Sequence, residues 1–256
     1  MNIAIVGATG NVGRKTLEVL ERKGLPIDDL YLVASSKSAG KKIHFQGKDI
    51  VVSELENFNF SKVKIAFFAA GGKISEKFAE KAAKHCLVID NSSFFRMDPD
   101  VPLIVPQVNS DALNNIKKNI IANPNCSTAQ LVIALKPLHD LFVIKRIVVS
   151  TYQSVSGAGK ASMDELIKQT KLALDGKDIK SENFTKPIAF NAIPHIDVFS
   201  EDGYTKEELK MRNETKKILD DKIDLTATCV RLPISVSHSE SVNIQFEKSF
   251  SLEQIK

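Results

Sequence analysis

Cys126 is the residue whose type and surroundings point most directly to covalent chemistry. It lies in residues 123–128, which read NPNCST and precede an apolar helical run. Hydroxyl residues favour a helix start, and a thiol there lies near backbone N–H groups that favour a thiolate and can hold an oxyanion. A lone cysteine is otherwise a small buried hydrophobe, and we interpret Cys86 and Cys229, in apolar runs, in that way.

A nucleophilic thiol needs a base, and His238 is the strongest candidate among five histidines. It lies in residues 231–240, RLPISVSHSE, seven positions after Arg231. Side chains alternate along a strand, so an odd separation places them on opposite faces. Arg231 and His238 therefore share a site only if the chain bends near Pro233. We interpret His139 and His195, which lie beside prolines, as structural.

A glycine-rich turn follows the first apolar run and opens a helix, in the spacing GxxGxxG. This context favours a dinucleotide diphosphate at the helix N-terminus. The contacts predicted from this turn are Gly7, Thr9, Gly10, Asn11, Val12 and Gly13. The second strand ends in Ser35, Ser36 and Lys37 without the acidic residue typical of NAD enzymes, which favours the 2′-phosphate of NADP(H). An ordinary solvated loop is the alternative.

Alternating strand and helix patterns must position these residues. They predict an α/β chain with a Rossmann-like, doubly wound parallel sheet, followed by an α+β domain that carries catalysis and dimerisation. The expected domains are residues 1–127 and 128–256. Strands are predicted at residues 30–33, 63–69, 87–89, 103–105, 146–152, 225–230 and 242–246. Helices are predicted after residue 13 and at residues 75–83, 129–135, 161–174 and 205–219.

Composition excludes several classes of protein. The net charge of +4 is spread along the chain, which argues for small anionic ligands and against nucleic acid. No apolar run reaches the length of a membrane helix, and the three cysteines show no spacing typical of disulfides or metal sites. We expect a cytoplasmic protein without a metal. The last residues, 251–254, look like the first turn of a helix, so we expect the chain to be incomplete at its C-terminus.

Five stretches together resemble the bacterial aspartate-semialdehyde dehydrogenase family, in the family's order and over nearly the whole chain. They are residues 7–13, 90–96 (DNSSFFR), 123–128, 151–159 (TYQSVSGAG) and 231–240. The resemblance implies NADPH-dependent reductive dephosphorylation of L-aspartyl-4-phosphate to L-aspartate-4-semialdehyde. This step leads to lysine, diaminopimelate, threonine and methionine.

The family also implies roles for individual residues. Cys126 would form the thioester, His238 would act as acid and base, and Gln153 would orient the thioacyl group. Arg231 would bind the substrate carboxylate as a fork, which lysine does less well. Gly157 would add a cofactor contact.

The remaining substrate contacts implied by the family lie mostly in a charged helix. Glu207 would meet the substrate amine, although Glu208 beside it leaves this choice open. Lys210 and Arg96, with the Asn125 amide, would bind the phosphate. The implied partners are a small-molecule substrate and phosphate, and the implied assembly is a homodimer or a dimer of dimers.

Two other functions compete with this interpretation. Another acyl-phosphate reductase, such as N-acetylglutamyl-phosphate reductase, would share the same fold, thiol and histidine. A non-catalytic nucleotide-binding protein would have only a structural thiol. Residues 70–73, AGGK, also depart from the Ser-rich loop of many relatives, which leaves the nicotinamide contact there unassigned.

Overall fold

A computed structural model describes residues 1–255, and its backbone contacts divide the chain into two units. The first unit is Met1–Ile104 with Ser110–Pro124. The second is Val105–Asn109 with the chain from Asn125 onward. No helix in the described part of the chain is long and apolar enough to cross a bilayer.

The first unit is built on a six-stranded, wholly parallel sheet in the order β5-β2-β1-β6-β7-β8. Its strands are β1 (Ile3–Val6), β2 (Leu30–Ala34), β5 (Ser53–Glu54), β6 (Ile65–Phe68), β7 (Leu87–Asp90) and β8 (Ile120–Ala122), with a hairpin of β3 (Lys42–Phe45) and β4 (Lys48–Val51) before β5. Its helices are α1 (Asn11–Lys23) and α2 (Gly72–Ala83). This architecture confirms the predicted Rossmann-like α/β fold.

Apolar periodicity explains how these elements pack. All four residues of β1 are buried, as expected for a central strand covered on both faces. Leu17 and Leu20, three positions apart on α1, pack into one cluster with Ile5 and Leu32 of the sheet. Each such buried side chain contributes about 1.5–3 kcal/mol relative to exposure, so this cluster fixes the helix that follows the glycine-rich turn.

The second unit is built on a three-stranded mixed sheet in the order β10-β9-β11. Its strands are β9 (Ile144–Gln153), β10 (Asp224–Arg231) and β11 (His238–Phe246). Its helices are α3 (Pro106–Asn109), α4 (Cys126–Phe142), α5 (Lys160–Leu174), α6 (Lys206–Ile218) and α7 (Leu252–Ile255). Leu131 and Leu135 of α4 and Met211 of α6 join the buried face of the sheet in one core cluster.

Two details of the first unit differ from the sequence-based prediction. The predicted strand at residues 103–105 is wrong, because only Leu103 forms an isolated bridge, to Ala122. Prolines at positions 102 and 106 flank this segment and cannot donate to a sheet ladder. The β3–β4 hairpin was not predicted. It turns at Gln46 and Gly47, both with positive φ, and its signal is a Gly after β3, which is polar at alternate positions.

The second unit also begins its last strand earlier than predicted. The prediction started at residue 242, whereas β11 starts at His238. The residues that follow His238 are Ser, Glu and Ser, and a segment without alternating apolar residues is predicted as a loop. The earlier start brings His238 into the sheet.

Candidate active site

Cys126 is the first residue of α4, and Asn125 is the N-cap of that helix. The Asn125 side-chain oxygen accepts hydrogen bonds from the backbone N–H groups of Ser127, at 2.9 Å, and Thr128, at 3.3 Å. This is the usual way in which an asparagine satisfies the free N–H groups of a first turn. The cap therefore fixes the start of the helix and, with it, the position of the thiol.

His238 lies beside that thiol. Its Nε2 atom is 3.2 Å from Cys126 Sγ. On the other side of the ring, Nδ1 lies 2.9 Å from the Ser237 carbonyl oxygen, and the Ser154 backbone N–H donates to it at 3.0 Å. The bond from Ser154 needs a lone pair on Nδ1, whereas a proton on Nδ1, donated to Ser237, leaves Nε2 with a lone pair directed at the thiol. The pair thus has the geometry of a nucleophile and its base.

The register of the sheet explains why residues far apart in sequence meet here. Gln153 pairs with Arg231 on the parallel side of β9 and with His238 on the antiparallel side. Directly paired residues present their side chains to the same face of a sheet. The chain between Arg231 and His238 leaves the sheet and passes from one side of β9 to the other, so the bend predicted near Pro233 is confirmed.

Arg231 and Gln153 are both buried, at 7% and 1% exposure. Arg231 Nη1 donates to the Ser154 carbonyl oxygen. A Cβ added to Gly157 would lie 3.4 Å from Arg231 Nη1 and 3.6 Å from His238 Nε2. Gly157, predicted to contact the cofactor, is therefore adjacent to the arginine and histidine of this cluster.

Helix α6 adds two charged groups to the same cluster. Glu207 is buried, and one carboxylate oxygen accepts from Asn125 Nδ2 at 2.8 Å and from Gln153 Nε2 at 3.1 Å. Its other oxygen accepts from Lys210 Nζ at 3.2 Å. Lys210 also bonds Asp197 at 2.7 Å, a residue that sequence reasoning missed because nothing in its surroundings marks it.

The structure also separates Glu207 from its neighbour. Glu208 completes a capping box with Thr205 at the start of α6, and its other oxygen accepts from the Cys229 backbone N–H at 3.1 Å. Only Glu207 of the two joins the cluster with Asn125 and Gln153.

Glu207 and Lys210 remain ionised at neutral pH. Burial raises the pKa of Glu207, but the Lys210 charge and the hydrogen bonds from Asn125, Gln153 and Lys210 outweigh it and lower the pKa overall. Burial lowers the pKa of Lys210, but Glu207 and Asp197 raise it overall. The site therefore holds a buried anion beside a half-buried cation.

The pKa values of the Cys126 thiol and the His238 imidazole, unlike those of Glu207 and Lys210, shift in the direction that favours the neutral form. Although the Cys126 side chain reaches solvent, burial of its sulfur, followed by the Glu207 charge, raises the thiol pKa. The N–H groups of Ser127 and Cys126 and the charge of Arg231 lower it, but by less. Burial and the Arg231 charge also lower the pKa of His238. The helix N–H groups thus favour a thiolate, as expected from the sequence, but desolvation outweighs them, so the resting pair is a neutral thiol and a neutral imidazole.

Cys86, Cys229, His139 and His195, which the sequence predicts to be structural, all have packed or hydrogen-bonded surroundings. Burial raises the pKa of Cys86 to about 11 and that of Cys229 to about 12, so both are inert thiols. His139 accepts from the Ile144 backbone N–H, and the ring of His195 packs against Phe199.

Arg96 belongs to the first unit and is buried there. Its guanidinium donates to the carbonyl oxygens of Asn123, at 2.8 Å, and Asn91, at 3.1 Å. These residues follow β8 and β7, so the arginine ties together two strand ends at the C-terminal edge of the parallel sheet.

The glycine-rich turn has no room for larger side chains. Gly7 has φ +87°, and a Cβ there would lie 2.6 Å from the Ala69 carbonyl oxygen. A Cβ on Gly13 would lie 2.3 Å from the Gly7 carbonyl oxygen. Gly10 is the N-cap of α1, whose first turn contains Asn11, Val12 and Gly13. The turn therefore brings bare backbone to a helix N-terminus, the arrangement that binds a diphosphate.

A cavity of about 480 Å³ opens beside this turn. Of the predicted residues it is lined by Gly7, Thr9, Gly10, Ser35 and Ser36. Lys37 is an exposed residue of the adjoining turn. Lining residues that the sequence did not reveal are Glu54, Leu55, Glu56, Ala69, Ala70, Ile74 and Phe78, of which Glu54 belongs to the short edge strand β5.

Comparisons with known proteins agree with this geometry. A family model described as semialdehyde dehydrogenase, NAD binding domain, matches residues 2–116. A second, described as semialdehyde dehydrogenase, dimerisation domain, matches residues 135–256. The aspartate-semialdehyde dehydrogenase of Aquifex aeolicus is 54% identical over 99% of this chain and 76% of its own length.

Solved structures give the same result. The crystal structure of aspartate semialdehyde dehydrogenase II complexed with ASA, from Vibrio cholerae, matches with a TM-score of 0.98 and 50% identity over 99% of this chain and 76% of that one. The crystal structure of aspartate semialdehyde dehydrogenase with NADP, from Candida albicans, matches with a TM-score of 0.71 and 27% identity over 99% of this chain and 74% of that one.

Proposed function

The chain belongs to the aspartate-semialdehyde dehydrogenase family of oxidoreductases, and from that premise we propose that it reduces L-aspartyl-4-phosphate to L-aspartate-4-semialdehyde with NADPH, through a thioester on Cys126. The observation that carries the proposal is the 3.2 Å contact between Cys126 Sγ and His238 Nε2. It lies in one cluster with a buried arginine, a buried carboxylate and a buried amide.

The neutral thiol–imidazole pair fits a general-base mechanism. As Cys126 Sγ attacks the acyl carbon, His238 Nε2 takes the thiol proton; the new C–S bond forms, the C–O bond to phosphate breaks, and the departing phosphate takes a proton from solvent. Bound at the glycine-rich turn, NADPH would supply the hydride that reduces the thioester carbon. His238 then returns its proton as the C–S bond breaks, which releases the aldehyde and restores the thiol.

The charges of the cluster match those of the substrate. Arg231 binds the α-carboxylate as a fork, and ionised Glu207 meets the α-ammonium. Lys210 and the Asn125 amide of this cluster bind the phosphate, and the family resemblance adds Arg96. Gln153, whose amide is already oriented by Glu207 at 3.1 Å, orients the thioacyl group. A free substrate amine calls for a buried carboxylate, whereas an acetylated amine does not.

The first unit fits a dinucleotide. Gly7 and Gly13 have no room for a side chain, so the bare backbone at the start of α1 can be approached closely by a diphosphate. The adjoining cavity has the volume for an adenosine group. Ser35, Ser36 and Lys37 would hold a 2′-phosphate, and the Candida albicans relative was solved with NADP. Glu54 and Glu56 line the same cavity. Glu54 accepts a hydrogen bond from the Asn57 side chain, and Glu56 accepts one from Lys77. A carboxylate there would instead suit the ribose hydroxyls of NAD, so cofactor preference is a direct test.

The wider role follows from the same proposal. The product leads to lysine, diaminopimelate, threonine and methionine in the cytoplasm. The dimerisation-domain match supports a homodimer, either alone or as half of a dimer of dimers.

The test is the reverse reaction, phosphate-dependent NADP⁺ reduction, with aspartate semialdehyde compared against N-acetylglutamate semialdehyde. Aspartate semialdehyde is the expected substrate, and mass spectrometry of the reaction without phosphate is expected to find the acyl group on Cys126. A preference for the acetylated aldehyde, or an acyl group on another residue, would reject the proposal. Replacing NADP⁺ by NAD⁺ in the same assay tests the cofactor.

A further inference from the structure

Glu214 is a buried carboxylic acid that the proposed mechanism does not use. It lies on α6 at 1% exposure, seven residues after Glu207. Seven residues are about two helical turns, so the two side chains lie on the same face of the helix. One carboxyl oxygen of Glu214 accepts a hydrogen bond of 2.6 Å from the backbone N–H of Asn125.

This bond completes a helix cap that α4 does not complete by itself. In a capping box, a Glu or Gln three residues after the N-cap accepts from the N-cap backbone N–H. Helix α6 has such a box, formed by Thr205 and Glu208. In α4 the corresponding residue is Thr128, whose hydroxyl has no hydrogen-bond partner. Glu214 supplies the missing acceptor from a different helix.

As a result, every polar group of Asn125 is held. Its backbone N–H is bound by Glu214 and its side-chain N–H by Glu207, at 2.8 Å. Its side-chain oxygen accepts from the first turn of α4, and its carbonyl accepts from the Ala129 N–H at 2.9 Å. Two carboxyl groups on one face of α6 therefore clamp the residue immediately before Cys126.

We propose that Glu214 is a positioning residue for the nucleophile, which fixes Cys126 against His238 by completing the cap at Asn125. The inference rests on the function proposed above, since it assigns Glu214 to the placement of the reacting thiol. The backbone N–H groups of Cys126 and Ser127, in the first turn that this cap holds, favour a thiolate, so a loosened cap withdraws them from the sulfur.

Two conservative substitutions at Glu214 distinguish the effect of side-chain length from the effect of charge. Glu214→Gln keeps the length of the side chain and an acceptor oxygen, whereas Glu214→Asp keeps the carboxyl group and is one methylene too short. The readout is iodoacetamide alkylation of Cys126 as a function of pH, followed by mass spectrometry of its peptide. We expect Glu214→Asp to slow alkylation at neutral pH by about tenfold, as for loss of one buried hydrogen bond, and to shift the profile to higher pH. Glu214→Gln should do neither.

Glu165 provides the matched control. It is also buried, at 4% exposure, and accepts backbone N–H groups, those of Glu182 and Asn183, at 2.8 Å each. Glu165→Asp should lower thermal stability without moving the alkylation profile. The proposal is overturned if Glu214→Asp leaves the profile unchanged, if Glu214→Gln slows alkylation as much, or if Glu165→Asp has the same effect.

A measurement on the unmodified chain covers the case in which Glu214→Asp does not fold. The Asn125 amide should exchange its hydrogen slowly, and exchange at the rate of an exposed amide would overturn the proposal. Failure of the two proposals can be told apart. Absence of an acyl group on Cys126 rejects the enzymatic function, whereas an unchanged alkylation profile in Glu214→Asp rejects only the positioning role.

Discussion

Neutralising Glu207 should move thiol reactivity and turnover in opposite directions. Its carboxylate is buried and ionised, and its charge raises the pKa values of Cys126 and of His238. In Glu207→Gln the thiol pKa therefore falls, so alkylation of Cys126 should become faster at neutral pH. Turnover should fall, because the substrate ammonium loses its anionic partner.

The size of the loss follows from the burial of the site. A hydrogen bond to a charged group contributes about 1.5–3 kcal/mol, and each 1.4 kcal/mol is a factor of about ten in rate. We therefore expect kcat/KM for aspartate semialdehyde to fall by roughly 10- to 100-fold. The new amide can still accept from Asn125 and Gln153, so the fold should survive, although its NH₂ group faces the Lys210 ammonium.

Glu208→Gln is the matched control, because it neutralises the adjacent residue and keeps an acceptor oxygen for the capping box, although its amide nitrogen cannot accept from the Cys229 N–H. Loss of that bond should lower thermal stability by about 0.5–1.5 kcal/mol, but Glu208 does not contact Asn125 or Gln153, so the alkylation profile and kcat/KM should stay within about threefold. The assays are initial rates of NADP⁺ reduction and the pH profile of iodoacetamide labelling. The reasoning is refuted if Glu207→Gln keeps full kcat/KM, or if its labelling profile moves to higher pH.

Three further predictions concern other parts of the chain. Cys126→Ala should abolish both the acyl adduct and turnover while NADP⁺ still binds, as measured by equilibrium dialysis; residual turnover would exclude this thiol. Gly13→Ala places a Cβ 2.3 Å from the Gly7 carbonyl, so thermal unfolding should show a loss of about 1–3 kcal/mol and NADP⁺ binding should weaken; an unchanged melting curve would contradict the crowding. Burial raises the pKa of Glu240 from 4.5 to about 7, so the folded state holds this proton more tightly than the unfolded state and loses stability as pH rises through about 7. Glu240→Gln should therefore gain up to about 2 kcal/mol over the native sequence at pH 8 but little at pH 5, and urea titrations giving equal gains at both values would contradict it.

The parallel sheet could be predicted from the sequence because its strands are buried on both faces. Buried parallel strands read as continuous apolar runs, as in β1 and β6. Edge elements carry a weaker signal. The β3–β4 hairpin mixes exposed and buried residues, and β8 has only three residues, so neither contrasts clearly with a loop.

The site was predictable where a residue type limits the chemistry. Nucleophile, base and guanidinium chemistry each need one of a few residue types, so the surroundings of each candidate Cys, His and Arg could be compared. Asp197 and Glu214 were missed because an acidic residue is usually solvated, and only the tertiary fold places Asp197 at Lys210 and buries Glu214 against Asn125. The protonation state of the thiol was also beyond the sequence, because it depends on how much water the folded chain removes from around the sulfur.

The pairing of Gln153 with both Arg231 and His238 has a consequence for tolerance to insertions. Strand β9 sets the register of β10 and of β11 separately. The length of the connection at residues 232–237 therefore does not determine the positions of Arg231 and His238. Extra residues there would be absorbed by the loop. A single residue added inside β9 would instead turn the amide to the opposite face of the sheet and break its alignment with both partners at once.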